Sequence, residues 1–249
     1  LEPGQAPPQE VFDHVELAFA ARLRELGKTR WAIKHPRLTY YMEHFHDRFP
    51  ESKWVFTIRD GRGVVNSYLT RKWNVANVYY GARLWQEQIA IQRRFIEAHP
   101  EQSHVLYFES LLANPRQEVQ AICEFLGEEF SEDLLSYHRK RPTTRIHAGN
   151  VNITKPIQKS VGEKWRSQLS AAQIGVIEAV AGDTLRAEGY ELDGEGARIS
   201  PVHRAAYGLH QWVMTNYWWQ RRSGWSGIKK RLGMSTSGRP LQSLPSGRK

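Results

Sequence analysis

The chain has 249 residues, of which 40% are hydrophobic, and its formal net charge is +9. A chain of this length can bury one good core, and none of its apolar runs approaches the roughly twenty residues that a membrane-spanning helix needs. Its single cysteine, Cys123, cannot form an intrachain disulfide and falls on the apolar side of a predicted helix. Residues 1–10 are rich in Pro and Gln, without the apolar core of a signal peptide. We therefore expect a cytoplasmic protein, with membrane association left open.

Apolar spacing and turn residues predict alternating helices and strands along the chain. Between residues 141 and 162 lies a polar loop rich in Thr, Asn and Lys, and loops of that length often carry function. Strands separated by helices imply parallel pairing in a three-layer α/β fold. The predicted helices span residues 9–26, 38–47, 79–98, 115–126, 131–138 and 171–188, a further helix follows residue 60, and the predicted strands span 30–33, 54–58 and 104–108.

The charge is concentrated at the C-terminal end. Residues 197–249 contain ten Lys or Arg and no acid, so the +9 total leaves −1 for residues 1–196. Residues 202–232 interleave Trp and Tyr with Leu, Val and Met, which predicts one or two amphipathic helices broken at Ser223-Gly224. The aromatic residues can pack on the domain with the basic residues solvated, or the segment can dock on a membrane surface or an acidic acceptor.

We accordingly divide the chain into three parts. Residues 1–196 form an α/β domain, residues 197–233 a basic, aromatic helical extension, and residues 234–249 a disordered tail. His44 and His46 stand two positions apart and would lie on different faces of a helix, so no metal is expected.

The most informative segment is the strand-to-helix turn at residues 54–67. An apolar strand runs into Arg59-Asp60-Gly61-Arg62, and Asp60 can cap the helix that follows. At the carboxyl end of a strand, a helix N-terminus and an arginine fork form an anion site. An Arg-Asp surface ion pair with a helix cap explains the same residues, and this segment alone does not decide between them.

The segment resembles the 3′-phosphate-binding signature of sulfotransferases that use 3′-phosphoadenosine 5′-phosphosulfate (PAPS), in which a serine follows the arginine as Ser67 follows Arg59. Other segments resemble the tyrosylprotein-type and related bacterial members in the same order. The similarity covers about residues 11–190 and implies a P-loop-NTPase-like parallel sheet flanked by helices. The further matching segments are Lys34-His35-Pro36, Phe49-Pro50-Glu51-Ser52-Lys53, the strand with Tyr107 and Glu109, Lys155-Pro156-Ile157, and Lys164-Trp165.

The resemblance implies a role for each matching residue. Lys34 corresponds to the lysine that stabilises the leaving phosphate oxygen. His35 is a candidate base, although it stands one position away from the histidine of cytosolic members and can point to the other face of a strand. Trp165 is assigned to the core rather than to a ligand. The implied nucleotide-binding residues are Arg59, Ser67, Arg71, Tyr107, Lys155 and Lys164.

One part of the family pattern has no counterpart. The strand, 5′-phosphosulfate loop and helix that should precede the matching segments are missing, and no Gly-x-x-x-x-Gly-Lys-[Ser/Thr] replaces them. We therefore expect a fragment or a truncated form that alone binds PAPS poorly and turns over little.

Three functions remain open. The first is a PAPS-dependent sulfotransferase whose acceptor is a hydroxyl of protein tyrosine, carbohydrate or a small molecule. The second is a catalytically inactive module that binds PAPS or 3′-phosphoadenosine 5′-phosphate (PAP) or acts in protein interaction. The third is a peripheral protein that binds an anionic membrane or nucleic acid through residues 197–249, with membrane contact through residues 197–233 expected and nucleic acid not expected as a partner.

Overall fold

The computed structural model describes residues 9–71, 75–140, 155–194 and 198–231. Short 3₁₀ helices at Pro36–Tyr41, Pro100–Gln102, Glu132–Leu134 and Lys159–Val161 connect some of its elements. The main elements of the described residues are α1 (Gln9–Leu26), α2 (Met42–Arg48), β1 (Trp54–Ile58), α3 (Gly61–Arg71), α4 (Val78–Ala98), β2 (Ser103–Tyr107), α5 (Phe108–Ala113), α6 (Pro115–Leu126), α7 (Tyr137–Lys140), α8 (Lys164–Gln168), α9 (Ala171–Ala187) and α10 (Pro201–Arg231).

The two strands of the described sheet are parallel. Trp54 of β1 lies opposite Ser103 of β2, and Ile58 lies opposite Tyr107 at the other end. The crossover between them runs through α3 and α4. Because both strands end at the same edge, Arg59 and Phe108 leave the sheet side by side. The predicted α/β class with a parallel sheet is confirmed, and its carboxyl edge is where the candidate site forms.

The main core lies where α3, α4 and α9 meet β1. It contains the fully buried side chains of Val65, Ala82, Ile177 and Leu185 together with Trp85. A smaller cluster of Met42, Phe56 and Phe95 continues the core towards α2. Fully burying a side chain of this kind contributes about 1.5–3 kcal/mol. The core therefore fixes α3, whose first turn borders the site, on a rigid support.

Several predicted boundaries agree with the structure because their local signals are strong. Proline at the first position of α6 and left-handed Gly127 after its end set the predicted limits of that helix. Ser170 and Gln173 form a capping box at the start of α9. Strand β1 also has its predicted bounds.

The predicted strand at residues 30–33 is wrong. These residues pair with neither strand of the described sheet. Arg30 instead donates a hydrogen bond from Nη2 to the main-chain oxygen of Leu126 at 3.0 Å. Trp31 stacks on Phe19, with ring centroids 4.4 Å apart. Side-chain contacts hold this segment, and with no neighbouring strand it has no ladder to join.

Three other predicted helices differ in form. Residues 38–47 are divided between the Pro36–Tyr41 3₁₀ helix and α2, because a proline at the start and no side-chain cap at Tyr41 leave the first part tightly wound. Ser131 caps only a short 3₁₀ turn, which α7 follows. α10 continues through Ser223-Gly224, where a break was predicted, since a single glycine weakens a long helix without ending it.

Some predictions fall outside the described residues. These are the structure of residues 141–154 in the polar loop and the disorder predicted for the tail from residue 234. Across the helices that the structure describes, none combines the length and apolarity needed to cross a bilayer.

Candidate active site

The first turn of α3 lies at the carboxyl edge of the sheet. Asp60 forms its N-cap as predicted, because Oδ1 of Asp60 accepts a hydrogen bond from the main-chain N–H of Arg62 at 2.8 Å. Gly61 packs directly on the indole of Trp85, where a Cβ would lie 2.7 Å from the ring. This close packing fixes the position of a helix terminus whose N–H groups and positive dipole end favour anions.

The Arg59 guanidinium lies across this helix terminus. A Cβ on Gly63 would lie 3.0 Å from Nε of Arg59, so the glycine allows the side chain to rest against the helix. Nη2 of Arg59 donates to the main-chain oxygen of Val161 at 3.0 Å, and the guanidinium carbon lies 4.6 Å from the centroid of the Phe108 ring. Nε of Arg59 is buried without a hydrogen-bond partner. The site thus holds a cation with one donor still to be satisfied.

The electrostatics of Arg59 agree with this arrangement. Burial lowers the pKa of the Arg59 guanidinium, the carboxylates of Glu109 and Asp60 act in the opposite direction, and the charge of Arg71 lowers the pKa further. Since the net shift is downward, the surrounding carboxylates do not fully compensate the buried cation. An anionic ligand beside the guanidinium would supply the missing negative charge.

Ser67 and Arg71 follow Gly63 at intervals of four residues. Side chains at this spacing lie along one side of a helix, so both belong to the side of α3 on which Arg59 rests. Ser67 is half-buried, whereas Arg71 is exposed at the last turn. The structure thereby brings three of the predicted phosphate-binding residues, Arg59, Ser67 and Arg71, to one surface.

The segment before α8 reaches the same surface. The 3₁₀ turn at Lys159–Val161 supplies the carbonyl that accepts from Arg59. A Cβ on Gly162 would lie 3.2 Å from Cδ1 of Leu112, so this segment also packs closely on α5. Lys155 and Lys164 flank the turn with exposed side chains.

Tyr107 has partners in the protein interior. Its hydroxyl accepts from Nη2 of Arg93 at 2.8 Å and donates to Oε2 of Glu188 at 3.2 Å. Burial raises the pKa of Tyr107, with the Glu188 carboxylate adding to the shift and Arg93 opposing it. These contacts tie the end of β2 to α4 and to the residue that follows α9, and the nucleotide contact predicted for Tyr107 stays a prediction.

Glu109 fixes the two strand ends relative to each other. Oε1 of Glu109 accepts from the main-chain N–H of Asp60 at 3.2 Å, and Oε2 accepts from the Tyr190 hydroxyl at 3.0 Å. Burial and the Glu109 carboxylate raise the pKa of Tyr190, so the tyrosine stays protonated and donates. Glu109 therefore links the start of α3 to the segment after α9.

Lys34 and His35 precede the Pro36–Tyr41 3₁₀ helix, and both are exposed. Nδ1 of His35 accepts from the main-chain N–H of Arg37 at 3.2 Å, so the imidazole caps that helix. Burial raises the pKa of Tyr68, the residue after Ser67, and Tyr40 of the same helix adds to the shift. The segment that carries the predicted catalytic residues therefore continues into a helix beside α3.

Arg62 has a structural role in the protein interior that its place in the motif did not predict. Its side chain is fully buried and bonds to two carboxylates, from Nη2 to Asp60 at 2.8 Å and from Nη1 to Glu178 at 2.7 Å. Burial lowers its pKa, the two carboxylates raise it, and the net shift is upward. The guanidinium also lies 4.2 Å from the ring centroid of Trp165, which is buried as predicted. Glu178 is 116 residues away, and no local signal pointed to it.

The sequence comparisons identify the family. The sequence model of the sulfotransferase family matches residues 6–132, about half of the chain, and the chain belongs to this family. That match includes Lys34, His35, Arg59, Ser67, Arg71 and Tyr107, whereas Lys155 and Lys164 lie beyond it.

The chain is also similar to curated relatives. It is 30% identical over 139 residues to a putative protein-tyrosine sulfotransferase of Caenorhabditis briggsae, covering 52% of this chain and 49% of the relative. It is 29% identical over 129 residues to protein-tyrosine sulfotransferase 2 of Gallus gallus, covering 47% of this chain and 35% of the relative. The chain thus spans about half or less of the length of these relatives.

Two solved structures share the fold. The sulfotransferase domain from the curacin biosynthetic pathway has a TM-score of 0.56 at 18% identity, covering 72% of this chain and 69% of that domain. The sulfotransferase domain from the Synechococcus PCC 7002 olefin synthase has a TM-score of 0.52 at 21% identity, covering 66% and 63%. The predicted resemblance to sulfotransferases and the predicted fold class are confirmed.

Proposed function

We propose that this chain takes part in sulfuryl transfer from PAPS to an acceptor hydroxyl and that the surface around Arg59 binds the 3′-phosphate of the donor. The observation that carries the proposal is the Arg59 guanidinium, which rests against Gly63 at the N-terminus of α3. The guanidinium donors of Arg59, its positive charge and the N–H groups at the start of α3 fit a phosphate group. PAPS, when bound, supplies the sulfuryl group.

The predicted binding residues would contact different parts of the nucleotide. Arg59, Ser67 and Arg71 would hold the 3′-phosphate, and the exposed ammonium groups of Lys155 and Lys164 would approach the nucleotide from the segment that contacts Arg59. Tyr107 would contact the nucleotide from the end of β2. Each positive group would stabilise the negative charge of the bound nucleotide.

Catalysis would depend on the segment before the Pro36–Tyr41 helix. Lys34 would stabilise the charge that develops on the phosphate oxygen as its bond to sulfur breaks. The acceptor oxygen forms the new bond to sulfur, and its proton must go to a base, for which His35 is the candidate. Because Nδ1 of His35 accepts the capping hydrogen bond, the neutral imidazole carries its proton on Nε2, and Nδ1 would have to leave the cap to take up the proton of the acceptor.

The acceptor is proposed from the relatives. Because they are named protein-tyrosine sulfotransferases, we infer that a tyrosine hydroxyl in a protein is the acceptor to test first. Carbohydrate and small-molecule hydroxyls are the alternatives that the same assay can include.

Calorimetric titration with PAP tests the nucleotide site, and transfer of radiolabelled sulfate from PAPS to a tyrosine-containing peptide tests the reaction. We expect PAP to bind the chain and Arg59→Ala to reduce that affinity by about tenfold or more. Arg22→Ala is the matched control, because Arg22 forms an exposed i,i+3 ion pair with Glu25 away from the site. If PAP does not bind, the proposed site is wrong. Binding without transfer would support the nucleotide site but not catalysis by this chain alone, which is the result expected for a fragment as well as for an inactive nucleotide-binding module.

Lys34→Ala and His35→Ala separate catalysis from binding. Both side chains are exposed, so neither change should unfold the protein. If the chain transfers sulfate, we expect each change to lower the transfer rate while PAP affinity stays within about twofold. Equal loss of PAP binding and transfer would contradict the catalytic role.

A further inference from the structure

Over residues 201–217, the part of α10 whose side chains are described, the helix packs on the domain along one side. The ring of Tyr207 stacks on Tyr79, with centroids 5.4 Å apart, and its main-chain oxygen accepts from Nδ2 of Asn77 at 3.1 Å. Oε1 of Gln211 accepts from the main-chain N–H of Ala76 at 2.9 Å. These contacts attach α10 beside the start of α4 and leave its opposite side to solvent.

Over the described residues 201–217, that opposite side is mainly apolar, with Asn216 as an exposed polar residue within it. Placed at about 100° per residue, its exposed apolar residues fall within an arc of about 140°. Tyr207 and Gln211 lie outside this arc, on the side that contacts the domain. The exposed fractions in this stripe are 76% for Val202, 64% for Leu209, 65% for Trp212, 46% for Val213 and 48% for Tyr217.

The chain segment that carries this stripe is basic. Residues 197–249 contain ten Lys or Arg and no acid, whereas the rest of the chain is close to neutral. An apolar stripe with Trp and Tyr in a basic segment suits an anionic lipid surface, where apolar side chains enter the interface and cations meet the headgroups. A second copy of the chain would bring two such segments of like charge together. Nucleic acid would satisfy the basic residues but would leave Val202, Leu209 and Val213 in water.

We propose that α10 lies on an anionic membrane surface with the stripe of Val202, Leu209, Trp212, Val213 and Tyr217 inserted at the interface. The attraction between basic residues and anionic headgroups brings the helix to the surface, and burial of the stripe holds it there. The contact is peripheral, and it is independent of the donor site at Arg59.

Vesicle flotation with the full 249-residue chain tests this proposal. Vesicles of phosphatidylcholine with phosphatidylglycerol should carry the protein upward, and vesicles of phosphatidylcholine alone should carry about tenfold less. Added salt should weaken the binding. Leu209→Glu combined with Trp212→Glu should reduce the partition coefficient by about tenfold or more, because two charges would have to enter the interface.

Leu17→Glu is the matched control. Leu17 is 67% exposed on α1, outside α10, so its replacement should leave flotation unchanged. Circular dichroism of each variant checks that the helices persist, and sedimentation equilibrium measures self-association. Failure of the wild-type chain to float with anionic vesicles overturns the proposal. So does flotation that the α10 variants retain, or a dimer that Trp212→Glu dissociates, since the stripe would then face a second copy.

Discussion

Nη2 of Arg59 donates a hydrogen bond to the main-chain oxygen of Val161, 3.0 Å away and 102 residues further along the chain. The arginine that ends β1 is therefore held by the segment that carries Lys155 and Lys164. The position of the Arg59 guanidinium and the position of the segment around Val161 therefore depend on each other. A substitution that moves one should move the other.

Arg59→Lys tests this coupling. Lysine keeps the charge but presents one compact ammonium in place of a fork, so it cannot both bond to Val161 in the same geometry and present further fixed donors to a phosphate. We expect PAP affinity to fall about tenfold, while proteolysis in the segment around Val161 becomes faster. Unchanged affinity in calorimetry together with unchanged proteolysis would show that the fork geometry has no role.

Gly63→Ala should disturb the site without unfolding the protein. A Cβ at this position would lie 3.0 Å from Nε and 3.1 Å from Nη2 of Arg59, so the guanidinium must move away from the helix terminus. We expect PAP affinity to fall several-fold while the urea midpoint stays close to that of the wild type, since alanine favours a helix by about 1 kcal/mol over glycine.

Gly208→Ala is the control for this change. Its Cβ would lie 3.5 Å from the Tyr80 hydroxyl, an ordinary contact on α10. The two alanine variants should therefore differ in PAP affinity. If they bind PAP equally well, Arg59 does not need Gly63.

Arg62→Met should destabilise the fold strongly. The change leaves the buried carboxylates of Asp60 and Glu178 without their cation, and breaking a buried pair in this way costs about 3–5 kcal/mol. Urea denaturation measures the loss of unfolding free energy. Adding Glu178→Leu should recover part of it, because one of the two unpaired carboxylates is then removed.

Arg22→Met provides the surface comparison for Arg62. The Arg22 side chain is 56% exposed, and its ion pair with Glu25 is expected to contribute less than about 1 kcal/mol. A cost at Arg62 no larger than the cost at Arg22 would contradict the structural role given to the buried arginine.

Tyr68 should make stability fall at alkaline pH. Burial raises the pKa of Tyr68 from 10.0 to about 12, with Tyr40 adding to the shift. Because the pKa is higher in the folded state, this contribution is fully present below about pH 10 and is lost as the pH rises through about 12. Urea denaturation across this interval should show a shallower fall for Tyr68→Phe than for the wild type.

Tyr68→Phe removes a hydrogen bond as well as an ionisable group, so the two effects must be separated. The Tyr68 hydroxyl donates to Oε1 of Gln88 at 2.9 Å, so phenylalanine should also lower the stability at neutral pH by about 1 kcal/mol. The difference in stability at neutral pH therefore measures the lost hydrogen bond, and the difference in slope between about pH 10 and 12 measures the ionisation of Tyr68. An alkaline fall as steep in Tyr68→Phe as in the wild type would assign the effect to other groups.

The local signals in the sequence determined much of the fold and the centre of the candidate site. The apolar run of β1, the Asp60 cap, Pro115 and Gly127 around α6, and Ser170 before α9 all act on the backbone within a few residues. The order of the motifs from Lys34 to Trp165 also indicated the family, which the match over residues 6–132 confirms.

Only the tertiary structure decided which distant groups meet. Arg59 and Val161, Arg62 and Glu178, and Tyr107 and Glu188 are brought together by the packing of α4 and α9 on the sheet, across separations that no local pattern specifies. The same packing left residues 30–33 without a neighbouring strand. It also turned Tyr207 towards the domain and Trp212 towards solvent. Sequence periodicity identifies an amphipathic helix, but the burial of each face depends on what the rest of the chain places against it.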